Sequence, residues 1–396
     1  MNIPKHLKQY IVKQNYQDYN YIDQACWRFI MKISTDFFKV NADNTYIDGL
    51  NKTGITLNKI PRIKSIDKKL SKFGWRAVCV RGFIPPNAFM EFQSLKILPI
   101  AADMRNHEHI TYTPSPDIVH EAAGHAPIIS NKDYAQYLIN YGEIAVKAIM
   151  SDEDLDIYYA IRDLSDIKEN INATSKEIKK LEKNLNKAIQ SISYISESAM
   201  LARMNWWTAE YGLIGDTKNP KIYGAGLLSS VAESENCFKK SVQKIPFDID
   251  CINYSYDITE QQPQLFVTPN YKFLSKELRK LSKKMAYKIG GLDGLKTAEK
   301  ANTLCTVEFD KLIQVSGVVQ KFIADENNII NFVSFTGPSQ ICFNNKELLH
   351  HGADYHIHGY SSPIGKLSQY KKPINKLSNN EIKKLNLCKN QKVTLE

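Results

Sequence analysis

Two histidines five residues apart, His120 and His125, stand in the stretch Pro116-Asp-Ile-Val-His-Glu-Ala-Ala-Gly-His-Ala-Pro127. Imidazole nitrogens are common metal ligands, and small residues between the rings leave room for an ion. The rival pattern is the H-E-x-x-H of zinc peptidases, whose i,i+4 spacing puts both rings on one helical face. Here the spacing is i,i+5, which on an ideal α-helix separates the side chains by about 140°. The pair must therefore converge from a helix end or a distorted turn, and Gly124 permits one. That departure counts against a zinc peptidase. For two histidines alone, a satisfied core or capping role is the favoured explanation.

The case rises with Leu201-Ala-Arg-Met-Asn-Trp-Trp-Thr-Ala-Glu-Tyr-Gly-Leu-Ile214, where Glu210 sits in an aromatic, apolar, helix-like surround. A carboxylate there is costly to bury unless it is paired or bound to a metal. Two imidazoles and one carboxylate on one face of an octahedron are the ligand set of non-haem Fe(II) oxygenases. Three positions then remain open for dioxygen and a co-substrate.

These residues need elements to hold them. Residues 17–32 place Tyr21, Ile22, Ala25, Cys26, Phe29 and Ile30 at helical spacing, so that face is expected to be buried. Strand-like runs follow at 77–80 and 95–100, separated by Pro85-Pro86, and Asp117 is a candidate N-cap for the helix that carries the histidines. Between 155 and 199 a narrow apolar stripe, with one polar gap at Thr174, reads as long helix broken near 170–175 into a pair. Nothing in the stripe is chemically reactive, so a structural role is expected. From about 303 the texture changes to short strand-like runs broken at Asp325-Glu-Asn-Asn328, Thr336-Gly-Pro338 and Asn344-Asn345. The expected architecture is a mainly α catalytic domain with short β elements over 1–300, with its helical insertion at about 155–199. A small, mostly β domain follows over 303–396.

Composition narrows the class further. At 396 residues, 43% hydrophobic and 24% charged, the chain suits a globular protein with a large core. No apolar run approaches the roughly eighteen residues of a membrane span. The N-terminus lacks an apolar h-region, so no secretory signal is expected. Seven scattered cysteines, never C-x-x-C, suit reduced thiols and a cytoplasmic protein. The net charge of +10 sits largely in amphipathic stretches with interleaved acids and in the C-terminal tail, without an aromatic-basic stripe, so no nucleic-acid partner is expected.

The two ligand-bearing blocks resemble those of the pterin-dependent aromatic amino acid hydroxylases, the phenylalanine, tyrosine and tryptophan hydroxylase family. Tyr223-Gly-Ala-Gly-Leu-Leu-Ser-Ser-Val-Ala-Glu233 and Tyr256-Asp-Ile-Thr-Glu-Gln-Gln-Pro263 are similar to two further blocks of that family. Ile3-Pro-Lys-His-Leu and the Trp27-Arg28 neighbourhood resemble its bacterial members. The resemblance implies Fe(II) held by His120, His125 and Glu210, and a tetrahydropterin, either tetrahydrobiopterin or a related bacterial pterin. It makes Arg105 the clamp on the substrate carboxylate, consistent with the fork a guanidinium offers. Thr113, Ser229 and Trp206 match residues lining the amino acid site, with Tyr256 beside them, and Trp206 and His120 form a ring wall for a flat substrate. Phe89 matches the aromatic that stacks on the pterin, and Glu121 and Glu233 match acids near the pterin and the metal. For Phe89 and Tyr256 a packing role is the alternative.

The implied reaction is para-hydroxylation of phenylalanine by dioxygen, with tyrosine or tryptophan as the alternative substrate within the family. The expected partners are the amino acid and O2, in a monomer or small homo-oligomer. Departures from the family lie in the segment 85–102, in the helical insertion, and in the last hundred residues, which resemble the extra domain of longer bacterial members. One other cluster, Leu349-His-His-Gly-Ala-Asp-Tyr-His-Ile-His358, has the residue types of a metal site. A polar turn region explains it better, because no separated partner ligand is evident.

Overall fold

The computed structural model describes residues 3–82, 84–111, 116–169, 173–258, 260–309, 312–367, 369–373 and 376–385. The chain divides into two compact units. The first comprises Met1–Ala148 and Glu153–Lys283, the second Ile149–Asp152 and Lys284–Glu396.

The first unit is mainly helical. Helix α1 (Tyr21–Asn41) starts at a capping box in which Asn20 accepts from Ile22 and Asp23 while the Asp23 carboxylate returns a bond to the Asn20 N–H. Residues 16–18 form a separate 3-10 turn, so the helix begins later than residue 17. Its buried face carries Cys26, Trp27, Ile30, Met31, Ser34 and Phe38. Tyr21 and Phe29, expected on that face, are 81% and 47% exposed. Trp27 sets the rotation, because its ring is fully buried and its indole N–H donates to Thr56 O.

Helices α2 (Asn44–Thr53) and α3 (Ile63–Leu70) lead to β1 (Arg76–Val80), α4 (Pro86–Ser94) and β2 (Ile97–Ala101). The two strands pair in parallel across the α4 crossover, and Pro86 sits in the first turn of α4, where its missing N–H is harmless. A π-helical turn, Val119–His125, runs into α5 (Ala126–Ile128) and then α6 (Lys132–Ala145).

The expected helical pair is present as α7 (Asp152–Glu169) and α8 (Ser175–Gln190). Thr174, the polar gap in the stripe, is the N-cap of α8 in a capping box with Glu177. Helix α9 (Glu197–Asn205) continues into a second π-helical turn, Trp206–Glu210. After it come β3 (Leu213–Asp216), β4 (Asn219–Ile222), α10 (Ala225–Ser229), α11 (Val231–Asn236), β5 (Gln243–Pro246), β6 (Gln264–Thr268) and α12 (Tyr271–Ser282). Strands β3 to β6 form one sheet in the order β4-β3-β6-β5.

In the second unit α13 (Ala286–Ile289) and α14 (Gly291–Ala301) precede an antiparallel sheet of β7 (Leu304–Phe309), β8 (Ile313–Ala324), β9 (Ile330–Phe343) and β10 (Lys346–Glu347), with β11 (Tyr360–Pro363) against β9. Leu295 and Ala298 of α14 pack with Val315, Val319, Val333, Phe335 and Ile341 of the sheet. Thr336-Gly-Pro338, read as a strand break, lies inside β9. The register against β8 shifts there, and Gly337 takes φ +69°, so a bulge absorbs the turn residues without ending the strand. The histidine cluster forms a local contact, with His351 Nδ1 2.9 Å from His356 Nε2 and the two rings stacked. No helix among the described residues is long and apolar enough to cross a membrane.

Candidate metal centre and ligand cavity

The histidine pair is built by its backbone. Asp117 Oδ1 accepts from the His120 N–H at 2.9 Å, which anchors the start of the turn as the sequence suggests. From Val119 to His125 the helix is of the π type, whose hydrogen bonds step by five residues. An i,i+5 pair on such a turn falls on one side, which is how two rings badly placed for an α-helix meet. The distortion expected at Gly124 is thus real, and the glycine also serves packing. A Cβ there would come within 2.8 Å of Ala225 O, so only glycine lets α10 approach.

The carboxylate arrives the same way. Ser196 caps α9, and the Tyr211 N–H reaches back to Trp206 O at 2.8 Å, a five-residue step that widens the end of the helix. Thr208 donates to Met204 O and is bonded to the Tyr137 hydroxyl at 2.8 Å, while the Tyr141 hydroxyl donates to Leu201 O at 2.7 Å. Helix α6 therefore fixes the element that presents Glu210. A Cβ on Gly224 would fall 2.4 Å from Glu210 O, so the α10 strand-to-helix turn closes directly on the ligand-bearing turn.

The three donor groups converge. His120 Nε2 and His125 Nε2 are 3.2 Å apart, and the Glu210 carboxylate lies 3.2 Å from the first and 3.4 Å from the second. Neighbouring ligands on one ion, with bonds of about 2.1 Å, stand about 3 Å apart, so the set fits a single metal. Ser229 Oγ donates to Ala225 O at 2.7 Å and so accepts from His120 Nδ1, 3.1 Å away. That bond places the proton on Nδ1 and leaves the Nε2 lone pair facing the centre.

A second carboxylate competes for the third position. Glu121 also brings an oxygen to within 4.8 Å of ligating atoms of His120 and His125. Burial pushes its carboxyl up to about 8, only partly opposed by His125 and reinforced by Glu210 and Asp117. Burial would raise Glu210 too, but the His125 and His120 imidazoles outweigh it and hold that carboxyl well below the usual range. Glu210, closer and anionic, is the better donor. Glu121 Oε2 is buried and has no hydrogen-bond partner among the described residues, so it faces the cavity with unmet bonding capacity.

The centre opens into a cavity of about 410 Å³. Phe89, Arg105, His120, Glu121, His125, Trp206, Glu210, Ser229 and Tyr256 all line it. Glu233 does not; it is buried, bonded to the Gln262 backbone and to Asn236, and burial raises its carboxyl to about 7. Thr113 lies outside the described residues. Arg105, indistinguishable in sequence from a surface cation, has a side chain only 1% exposed. Its Nε and Nη2 bond both oxygens of Asp117 at 2.7 and 2.9 Å, and Nη1 donates to Ser229 O at 3.0 Å. Of five guanidinium N–H groups three are thus committed, and one remains on each terminal nitrogen. Trp206 stacks nearly parallel with Tyr256 at 4.3 Å and with Tyr211 at 4.6 Å. Its faces are engaged in that three-ring stack, so it meets a ligand at its edge.

Sequence reasoning missed Asp117 as the partner of Arg105, and it missed two cavity residues, Tyr158 and Ile161 of α7. The insertion, expected to be structural, supplies part of the wall. Tyr158 and Ile161 stand three apart and in step with Leu164 of the apolar stripe, which is the signal the sequence offers.

Comparison with known proteins gives a consistent answer. The family profile described as biopterin-dependent aromatic amino acid hydroxylase matches residues 8–158 and 190–291. The phenylalanine-4-hydroxylase of Mesorhizobium japonicum is 28% identical over 266 residues, covering 65% of this chain and 80% of that one. That of Chromobacterium violaceum is 28% identical over 259 residues, 65% and 72% of the two chains. A crystal structure of the C. violaceum enzyme with iron and phenylalanine bound superposes with a TM-score of 0.52 at 25% identity, covering 70% of this chain and 88% of that one. Another, with iron(III) and 7,8-dihydrobiopterin, gives a TM-score of 0.54 at 24% identity over 71% and 92%, a likeness of fold. With the profile matched across most of its first unit, this chain belongs to the biopterin-dependent aromatic amino acid hydroxylases.

Proposed function

We propose that this protein is an iron- and tetrahydropterin-dependent monooxygenase that converts L-phenylalanine to L-tyrosine, with His120, His125 and Glu210 as the metal ligands. The observation that carries this is the convergence of three donor groups within 3.4 Å of one another at the head of an apolar cavity. Bound Fe(II) and a reduced pterin would together supply the activation of dioxygen. The chain's own residues do the rest.

His120 is held by Ser229 with its Nε2 inward, and Glu210 is held as an anion, so two imidazole donors and one carboxylate are ready for the ion. The free edge of Arg105 is placed to take an α-carboxylate, with Asp117 fixing the guanidinium plane. The Trp206–Tyr256–Tyr211 stack stiffens the wall beside it, and Ser229 and Tyr256 border the space for the ring. Phe89, on α4, offers a flat apolar face for the pterin. Glu121, kept neutral by burial, is able to donate a hydrogen bond to a heterocycle.

Catalysis is assigned to the first unit, which contains the whole cavity lining. A cytoplasmic location is the reading that six free thiols among the described residues support. The test is turnover of phenylalanine, tyrosine and tryptophan with Fe(II), oxygen and tetrahydrobiopterin. Tyrosine formation from phenylalanine, with the highest kcat/KM of the three, is expected. Absence of hydroxylated product from all three refutes the reading.

A further inference from the structure

The matched family segments stop at residue 158 and resume at 190. Ile161 falls in the interval between them, yet it lines the cavity together with Tyr158, one turn earlier on α7. Both are half-buried. Further along the helix Leu164 and Ser165 are 5% and 3% exposed, so this side of α7 lies against the unit.

The placement is held at both ends. Glu153 accepts from the Ser193 N–H at 2.9 Å, and Asp154 accepts from the Ser196 hydroxyl, which also caps α9. At the far end Lys168 pairs with Glu182 of α8 at 3.2 Å. Helix α7 is thereby tied to the N-terminus of α9, the helix that runs on to Glu210.

Its position within the cavity is equally defined. Tyr158 is within electrostatic reach of Tyr10, which packs on the cluster of Ile84, Ala88 and Phe92 around α4. Helix α4 carries Phe89, and Gln93 of α4 donates to Leu138 O of α6, whose last residue, Ala145, also lines the cavity. Tyr158 therefore lies on the part of the cavity wall that adjoins α4 and the end of α6.

We infer that Tyr158 and Ile161 of the inserted helix α7 form an added wall on the Phe89 side of the cavity, contacting the pterin and setting its affinity, without contacting the amino acid. The inference rests on the proposed function, since it takes the ligand stacked on Phe89 to be a pterin. An apolar wall there removes pterin surface from water.

The experiment uses Fe(II)-loaded full-length protein under anaerobic conditions, titrated by calorimetry with 7,8-dihydrobiopterin and, separately, with phenylalanine. Ile161→Ala and Tyr158→Ala are expected to weaken dihydrobiopterin binding about five-fold each, with the phenylalanine Kd changed less than about two-fold. Ile161→Trp fills the space where the alanines empty it and is expected to weaken the pterin more strongly, while iron per chain and melting temperature stay at wild-type values. Unchanged pterin affinity in all three variants overturns the wall, as does a selective loss of phenylalanine affinity. If wild-type protein binds phenylalanine but no pterin, the functional reading and this inference fall together. Wild-type pterin binding with unaltered variants removes only the inference.

Discussion

Arg105 and Asp117 form a buried bidentate pair, and the same Asp117 carboxylate also accepts the His120 backbone N–H. One carboxylate therefore orients both the guanidinium that faces the cavity and the turn that carries the metal-facing imidazoles. The pair is dry, with side chains 1% and 3% exposed, and burial of Asp117 is outweighed by the Arg105 charge, which lowers its carboxyl pKa. Removing one partner from such a pair leaves an uncompensated charge.

Arg105→Lys tests the clamp. A lysine offers a point charge without the fork, so it cannot hold Asp117 and a substrate carboxylate in fixed planes together. Loss of a charge-assisted bidentate contact should cost about 2–4 kcal/mol, roughly thirty- to nearly a thousand-fold in kcat/KM for phenylalanine. The melting temperature should fall as well, because Asp117 loses a matched partner. Steady-state kinetics at equal iron loading decide the matter. Equal kcat/KM in variant and wild type would place the carboxylate elsewhere.

Glu210 and Glu121 compete for the third ligand position, and substitution separates them. Glu210→Ala removes the carboxylate that stands within 3.4 Å of both imidazoles, so iron retained after dialysis and coupled hydroxylation should both collapse. Glu121→Ala should keep iron near one per chain. Metal analysis of both variants gives the answer, and the reverse pattern would exchange their roles.

Glu233 makes stability depend on pH. Its carboxyl is raised to about 7 by burial, against an ordinary value of 4.5. Between those values the folded state binds more protons than the unfolded one, so stability falls as pH rises through the window. Above about pH 7 the folded state carries a buried charge. Glu233→Gln mimics the neutral acid, so it should melt close to wild type at pH 5 and about 2 °C or more above it at pH 8. Parallel melting curves at the two pH values would show that Glu233 is not held neutral.

How much of this the sequence discloses depends on how local the cause is. The α7–α8 pair, strands β1 and β2 and the strand texture after 303 follow from periodicity and capping residues, which act over a few positions, whereas helix α4 between the two strands is not announced by its short Pro85-Pro86 break. The i,i+5 spacing of His120 and His125 announces a distorted turn, because an α-helix cannot bring those rings together. The close approach of Ala225 to Gly124 in that turn joins segments a hundred residues apart, which no local pattern contains. The same holds for Arg105 with Asp117 and for the ring stack that turns Trp206 edge-on. The rotation of α1 departs from its apolar pattern because Trp27 dominates burial, whereas a count of apolar positions weights Tyr21 and Phe29 equally.

Diffraction from Fe(II)-loaded crystals at the iron absorption edge decides whether His120, His125 and Glu210 hold one metal ion. A single strong anomalous peak is expected within bonding distance of His120 Nε2, His125 Nε2 and the Glu210 carboxylate. A peak bound by Glu121 in place of Glu210, or one of equal strength between His351 and His356, would contradict it.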